Sequence, residues 1–382
     1  MSENKRMYVD FHVLQTVPPS CVNRDDTGSP KTAVYGGTMR ARVSSQAWKR
    51  AMRMAFRELF AAEECGYRTR NTADLVAERL LQGDGGTGLS DEQAKKLAVD
   101  VLELAGVKSE TGKDVLFFVS AGQIAQLAPI ALEYAGVDNK ERKDKKSEAM
   151  KSIRERATIA LYETPSIDML LFGRMAAGNP SLNYDAAAQV AHSISTHTIS
   201  NEYDYFTAVD DRGEEDNAGA GHLGTVEYNS STLYRYATVN AAELAGRLTG
   251  EELSRTLRGF AEAFIRSMPT GKQNTFANRT LPDLVYVTLR RDQPVNLAGA
   301  FEQPVTAGRD GTDGYVSKSA RALFKHARKV YGMYVSRPEQ AWLIGGQDEL
   351  PDLQNQLQTV NLQQLLQGLG GAMDAYATGQ EG

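Results

Sequence analysis

The chain opens on an alternation. In "MYVDFHVLQTV" Val9, Phe11 and Val13 stand against Tyr8, Asp10 and His12, and this period of two predicts a half-buried strand. "PPSCVNRDDTGSPKTAVYGG" follows, dense in Pro, Gly, Asn, Asp and Ser, and predicts a long loop ending in a Gly-Gly break. "MRARV" is again extended and alternating. Ser44 or Ser45 then caps a helix, "QAWKRAMRMAFRELFA", in which Trp48, Ala51, Met52, Ala55, Phe56 and Leu59 recur at steps of three and four as one buried stripe.

From about residue 64 to 162 the period is helical throughout. "TADLVAERLLQG", "SDEQAKKLAVDVLELAG" and "GQIAQLAPIALEYAG" each end in Gly, and "DNKERKDKKSEAMKSIRERATIALYE" closes a helical insertion expected to contain no sheet. Near residue 163 the pattern changes. "TPSIDMLLFGRMAAGNP" predicts an apolar strand entering a Gly-rich turn, and "SLNYDAAAQVAHSIST" a helix of small residues. "NEYDYFTAVDD" and "HLGTVEYNSSTLYRYATVNAAEL" are β-rich arms around a polar tip, "RGEEDNAGAG", which predicts a long hairpin. Further helices ("TGEELSRTLRGFAEAFIRSMP", "VSKSARALFKHARKVYG", "LQQLLQGLGGAMDAYA") and a strand ("LPDLVYVTLR") complete an α+β chain without a fixed-period repeat.

Composition narrows the class. The 382 residues are 41% apolar and 24% charged, enough for a sizeable core, and no apolar run approaches the ~20 residues of a bilayer span. The start has no apolar segment followed by a small-residue cleavage site, so a cytoplasmic protein is expected. Cys21 and Cys65 are too few for a disulfide framework or a thiolate metal cluster.

Charge changes the picture more. The formal net charge is −5, yet residues 38–57 hold Arg40, Arg42, Lys49, Arg50, Arg53 and Arg57 without one Asp or Glu. Such a face is either simply solvated or supplied with counter-charge by an external polyanion, since acidic partners at i±4 are missing. Gly36, Gly37, Ser44 and Ser45 add N–H and hydroxyl donors suited to phosphate oxygens.

Catalytic patterns are absent. His12, His192, His197, His222 and His326 form no two-ligand spacing, and no nucleophile elbow, phosphate loop or dinucleotide fingerprint occurs. No metal, cofactor or catalytic residue is expected. Asp25 and Asp26 in "NRDD" are either turn formers or carboxylates for a divalent ion. Tyr203, Tyr205 and Phe206 on the hairpin either stack on bases or pack inward, and Met175 in "FGRMAAG" is either core filler or pressed against a base.

Taken together, "PPSCVNRDDTGSPKTAVYGGTMRARVSSQAWKRAMR", "GRMAAG", "YDYFTAVDD…GHLGTVEYNSSTLYRYATVN" and "GKQNTF" resemble, in the same order, the CasC family, the backbone subunit of the subtype I-E CRISPR interference complex Cascade. The resemblance implies a hand: a modified RRM-like, ferredoxin-like palm (1–62, 163–195 and, with C-terminal helices, 233–382), helical fingers (63–162) and a hairpin thumb (196–232). The chain lacks the RNP1 pattern of ordinary RRMs, so this expectation is the resemblance's alone. It further implies a non-catalytic subunit that tiles head to tail along a CRISPR guide RNA, kinks it at intervals and supports pairing with a target DNA strand. Other Cascade subunits join it and a separate helicase-nuclease cuts.

Carried over by residue, the resemblance assigns the RNA surface to Arg24, Lys31, Arg42, Ser44, Gln46, Lys49, Arg50 and Arg53. Met175 and Phe206 clamp the kink beside Thr207, and Lys272 and Gln273 lie near the RNA. Lys140, Arg142, Lys143, Lys145 and Lys146 match a target-DNA helix by charge only. Two alternatives stand beside the scaffold: a metal-dependent ribonuclease using Asp25 or Asp26, and an oligomeric shell without RNA contact.

Overall fold

The structure, a computed structural model, describes residues 6–82, 88–107, 116–144, 147–176, 178–208, 222–308, 314–346 and 357–379. It divides into two compact units, residues 1–55 with 188–382, and residues 56–187. In chain order, β1 (Tyr8–Ser20), β2 (Thr32–Tyr35), β3 (Thr38–Val43) and α1 (Ser45–Leu59) come first. The second unit then contributes β4 (Gly66–Thr69), α2 (Thr72–Leu81), α3 (Asp91–Leu104), β5 (Phe117–Ser120), α4 (Ala121–Gly136), α5 (Asn139–Lys143), α6 (Glu148–Tyr162) and α7 (Ile167–Phe172). The chain returns to the first unit with β6 (Ala188–Val190), β7 (Ser193–Ser195), β8 (Glu202–Ala208), β9 (His222–Asn240), α8 (Ala241–Ala245), α9 (Gly250–Arg266) and α10 (Gln273–Phe276). It closes with β10 (Leu284–Arg290), α11 (Tyr315–Met333), β11 (Gln340–Ile344), β12 (Gln358–Thr359) and α12 (Leu362–Thr378).

The described strands of the first unit form a ten-stranded sheet in the order β12-β11-β10-β1-β9-β7-β3-β2, with β6 and β8 paired to other stretches of β9. Pairing is antiparallel except for β11 with β12. Alternation along β1 sorts its side chains onto two faces. Phe11 faces α9, its ring 5.4 Å from Phe260 and 5.9 Å from Phe264. Leu14 points the other way, into a cluster with Tyr234, Tyr236, Tyr286 and, from α11, Leu323 and Phe324.

Helices on both faces overturn the half-buried expectation for β1. Asp10 and His12 are fully enclosed, and the interior supplies partners. Asp10 accepts from Tyr236 Oη at 3.0 Å and Val295 N at 2.8 Å, and His12 Nδ1 lies 2.8 Å from Tyr234 Oη. Burial pushes the Asp10 carboxyl up to about 6, and burial together with the nearby Arg290 charge brings His12 down to about 3. β1 also runs further than expected, to Ser20, and its pairing with β9 shifts register between Val17 and Ser20, where Pro18 and Pro19 have no N–H to donate.

Three other expectations are corrected. "SIDMLLF" is the helix α7, ending at Gly173 with φ +75°, because a short apolar run of Leu and Met suits a buried helix as well as a strand. "SLNYDAAAQVAHSIST" is a 3-10 turn at Pro180–Leu182 followed by β6 and β7, whose hydrogen bonds come from β9 and override the helix propensity of its alanines. The helical second unit contains a two-stranded sheet, β4 with β5, in register from Gly66↔Ser120 to Thr69↔Phe117.

The second unit is otherwise a packing of α2, α3, α4 and α6 around Val76, Leu80, Val101, Leu127, Ala131, Ile153 and Leu161. Ser90 and Ser120 start α3 and α4 through reciprocal capping boxes with Gln93 and Gln123. Among the described residues no helix is long and apolar enough to cross a membrane.

Candidate nucleic-acid interface

The basic stretch is sorted by burial before it can serve any ligand. Arg40 is fully buried, its guanidinium donating to the carbonyls of Ser195 (2.9 Å), Phe301 (3.0 Å) and Glu302 (3.3 Å), so it is a structural cation. Arg42 is half-buried and reaches two neighbours, donating from Nε to Thr32 O of β2 at 3.0 Å and from Nη1 to Nδ1 of His192, in the link between β6 and β7, at 3.2 Å. Burial, then the charges of Arg42 and Lys31, holds His192 below the usual imidazole range, which keeps that nitrogen an acceptor. Ser44 is buried and its Oγ accepts from Ala47 N at 3.3 Å, so Ser44 is the cap and Ser45 with Gln46 forms the more open first turn.

On α1, Trp48 and Met52 are buried, Gln46 and Arg50 are exposed, and Lys49 and Arg53 are half-buried. Lys49 and Arg53 each already interact within the chain, so the helix face is not a row of unengaged cations. Burial lowers the Lys49 ammonium from its ordinary range.

The loop before β2 is fastened to this helix by a residue that charge and motif reading passed over. Asn23 accepts Ser44 N at its Oδ1 (2.9 Å) and Lys31 N at its carbonyl (2.8 Å), setting Lys31 and the exposed Arg24 beside the first turn of α1. Nothing in the sequence distinguishes this Asn from an ordinary turn residue. From the other side Gly271 packs so closely that a Cβ there would lie 2.1 Å from Val22 O, which brings Lys272 and Gln273 onto the same loop. Arg24, Lys31, Arg42, α1, Lys272 and Gln273 therefore share one region of the first unit, and a small cleft between Asn23, Lys31, Arg42, Asn229 and Ser231 runs through it.

Asp25 turns inward on its own loop. Its Oδ1 accepts from Thr27 Oγ1 (2.7 Å), Thr27 N (3.0 Å) and Ser29 N (3.0 Å), and these bonds, the Thr27 hydroxyl foremost, hold the carboxyl below its usual range. Among the described residues no three His, Cys, Asp or Glu side chains gather so as to hold a metal ion. Cys21 and Cys65 are free and buried.

The hairpin pairs β8 with β9 from Glu202↔Tyr228 to Ala208↔His222; its expected tip lies outside the described residues. Tyr203, Tyr205 and Phe206 are 68%, 63% and 43% exposed, so none is core packing, and Thr207 is exposed beside them. Phe206 lies over Gly224 across the strand pair, where a Cβ would come within 2.4 Å of its ring. At the hairpin base, Tyr228 meets Phe276 of α10 at 5.8 Å.

In the second unit Met175 is 85% exposed because its neighbour is bolted down. The buried Arg174 donates to Leu182 O (2.8 Å), Phe118 O (3.1 Å), Gln123 Oε1 (3.1 Å) and Leu161 O (2.7 Å), while a backbone bridge to Tyr184 keeps the segment extended. Of the DNA-helix candidates, Lys140 and Lys143 on α5 are exposed. Arg142 instead closes the end of α4, donating to the carbonyls of Val137 (2.9 Å) and Ala135 with its guanidinium over the Tyr134 ring. Lys145 and Lys146 lie outside the described residues.

The sequence profile of the CT1975-like proteins matches residues 9–368. A solved chain of a "CRISPR RNA-guided surveillance complex, pre-nicking" superposes with a TM-score of 0.79 at 32% identity, covering 96% of this chain and 100% of that one. A second, from a "CRISPR RNA-guided surveillance complex", gives a TM-score of 0.70 at 28% identity, covering 96% and 99%. No curated protein sequence matches the chain.

Proposed function

The chain belongs to the family of CT1975-like proteins, and from that premise we propose that it is the guide-RNA-binding backbone subunit of a CRISPR RNA-guided surveillance complex. The observation that carries the reading is likeness along the whole length, 32% identity over 96% of this chain, to a subunit of such a complex. The gathering of Arg24, Lys31, Arg42, α1, Lys272 and Gln273 into one region gives that likeness a physical basis.

On this reading the large sheet with its helices is the modified RRM-like palm, residues 63–162 of the second unit are the fingers and the β8–β9 hairpin is the thumb. Cations beside the first turn of α1 hold RNA phosphates, contacts that fix register and carry no sequence information. That suits a subunit whose sequence selectivity is delegated to base pairing. Further copies tile the same RNA, the exposed rings of β8 and Met175 press on bases at the kinks, and Lys140 and Lys143 meet the target DNA strand. The subunit performs no chemistry itself; the inward bonding of Asp25 supports this by giving its carboxylate a turn to hold.

Purification with nucleic acid retained tests the reading. Single-stranded RNA is expected to accompany the protein, with log K falling by ~0.7 per phosphate contacted for each log unit of salt. The double charge reversal Lys49→Glu, Arg53→Glu should release it. Unchanged RNA retention and assembly in that variant would remove α1 from the interface. Periodic cleavage of complementary RNA in Mg²⁺, lost in Asp25→Ala or Asp26→Ala, would replace the scaffold with a nuclease.

A further inference from the structure

The criterion that singles out residues 38–57 is met once more, at residues 315–338. That stretch carries Lys318, Arg321, Lys325, Arg328, Lys329 and Arg337 and again no Asp or Glu. Most of it is α11, whose Leu323, Phe324 and Ala327 are buried against the sheet. Arg321, Lys325, Arg328 and Lys329 recur at three- and four-residue steps on the exposed side, a stripe about 12 Å long at the 1.5 Å rise of a helix. Lys318 is partly engaged, donating to Thr306 O at 3.1 Å.

Two further observations point to the class of ligand. Beside the stripe, a groove of about 360 Å³ runs between α11 and the Arg337–Ala341 segment, walled by Tyr286, Phe324 and Tyr331 and rimmed by Arg328, Arg337 and Glu339, whose carboxylate is paired with Arg291 at 2.9 Å. Aromatic walls with guanidinium groups at the rim match a nucleobase and its phosphate. At the end of α11, Met333 and Tyr334 are 65% and 79% exposed, which adds an apolar platform to the same cationic surface.

This surface is separate from the α1 region. On β9, Tyr234 and Tyr236 point into the α11 cluster, whereas the intervening Arg235 lies against Trp48 of α1. Alternation along one strand thus puts α1 and α11 on opposite faces of the sheet. We propose that α11 and its groove form a second surface for single-stranded nucleic acid, with phosphates along Lys325, Arg328 and Lys329 and a base between Tyr331 and the Arg337 segment. It does not depend on α1 binding RNA.

The test uses the full chain with whatever nucleic acid it retains, titrated with fluorescent single-stranded oligo-dT and oligo-rU. The triple variant Lys325→Glu, Arg328→Glu, Lys329→Glu should bind the probes about tenfold or more weakly, with a salt slope shallower by roughly 2, while keeping any co-purifying RNA. Added to a Lys49→Glu, Arg53→Glu background, the triple substitution should weaken probe binding by the same factor as in the protein with α1 intact, so failure of α1 and failure of α11 read out separately. The ratio of the two probes distinguishes DNA from RNA as the natural strand. Probe binding unchanged in the triple variant, with or without altered self-association, overturns the proposal; altered self-association would identify an acidic protein surface as the partner. Photocrosslinking of 5-iodouracil oligonucleotides to the unmutated protein needs no folded variant. Adducts at Tyr331 or Tyr334 are expected, and adducts confined to β8 or the α1 region would also overturn it.

Discussion

The guanidinium carbon of Arg235, on the central strand β9, lies 3.8 Å from the centre of the Trp48 ring on α1. Both side chains are buried, and neither relies on an acid. Arg235 donates to Gln15 Oε1 at 2.6 Å and to Phe264 O, and Trp48 Nε1 donates to Ser193 Oγ at 2.9 Å. A cation desolvated between an indole and neutral oxygens makes this stack stronger than a surface one, and it fixes the basic helix to the sheet. Burial alone lowers the affinity of Arg235 for its proton.

Trp48→Ala should therefore cost ~3–5 kcal/mol of stability and Trp48→Phe less, the latter losing the bond to Ser193 but keeping a ring under Arg235. Denaturant unfolding of both variants checks this. An alanine variant as stable as the parent would show that the stack does not hold α1.

The arginines of one stretch should separate by assay. Arg40→Ala leaves two buried carbonyls and a part-buried one without their donor and is expected to lower stability by ~2–4 kcal/mol with the salt slope of RNA binding unchanged in whatever folds. Arg50→Ala, at an exposed position, should leave stability within ~0.5 kcal/mol and make the salt slope shallower by ~0.7.

Phe206→Ala removes an exposed ring and should change stability by less than ~0.5 kcal/mol while weakening RNA binding by ~1–3 kcal/mol. Gly224→Val, which displaces the ring without deleting it, should weaken binding too. Fluorescence of guide RNA carrying 2-aminopurine at the proposed kink reads both.

On α5, Arg142→Ala should lower stability by ~1–2 kcal/mol, because its donors leave the carbonyls at the end of α4. Lys140→Ala with Lys143→Ala should leave the melting curve unchanged and reduce affinity for target DNA. Loss of DNA affinity confined to Arg142→Ala would reverse these assignments.

His12 gives a pH dependence with a definite sign. Held neutral in the fold down to about 3, it takes up a proton in the unfolded chain below about 6.5. Its contribution is complete above 6.5 and is lost as pH falls toward 3. Asp10, at about 6 in the fold against 3.8 unfolded, contributes the opposite way: full stabilisation below 3.8, lost as pH rises through 6. Comparison with His12→Asn isolates the first. The stability gap between parent and variant should narrow by on the order of 2 kcal/mol between pH 6.5 and 4.5, seen in urea midpoints at each pH. A gap independent of pH would mean that His12 is not held neutral.

Local chemistry made much of this molecule legible along the chain. The 3.6 period of α1, the alternation of β1 and the polar break between β8 and β9 each encode a nearest-neighbour geometry, and each element is present. The acid-free basic stretch was equally plain, and so was its twin on α11, for anyone counting acids in that window.

Direction and company could not be read so. Arg40 and Arg42 are two residues apart, on the same side of β3 by alternation, yet the carbonyls of Phe301 and Glu302 enclose the one, while Arg42 reaches His192 nearer the surface. "AQV" and "SIS" became strands because β9, about forty to fifty residues on, supplied their hydrogen bonds. Asp10 and His12 look like the wet side of a strand until α11 covers it. A sequence sets what each residue can do with its near neighbours; which face is buried, which cation is enclosed and which loop meets which helix depend on contacts made across the whole chain.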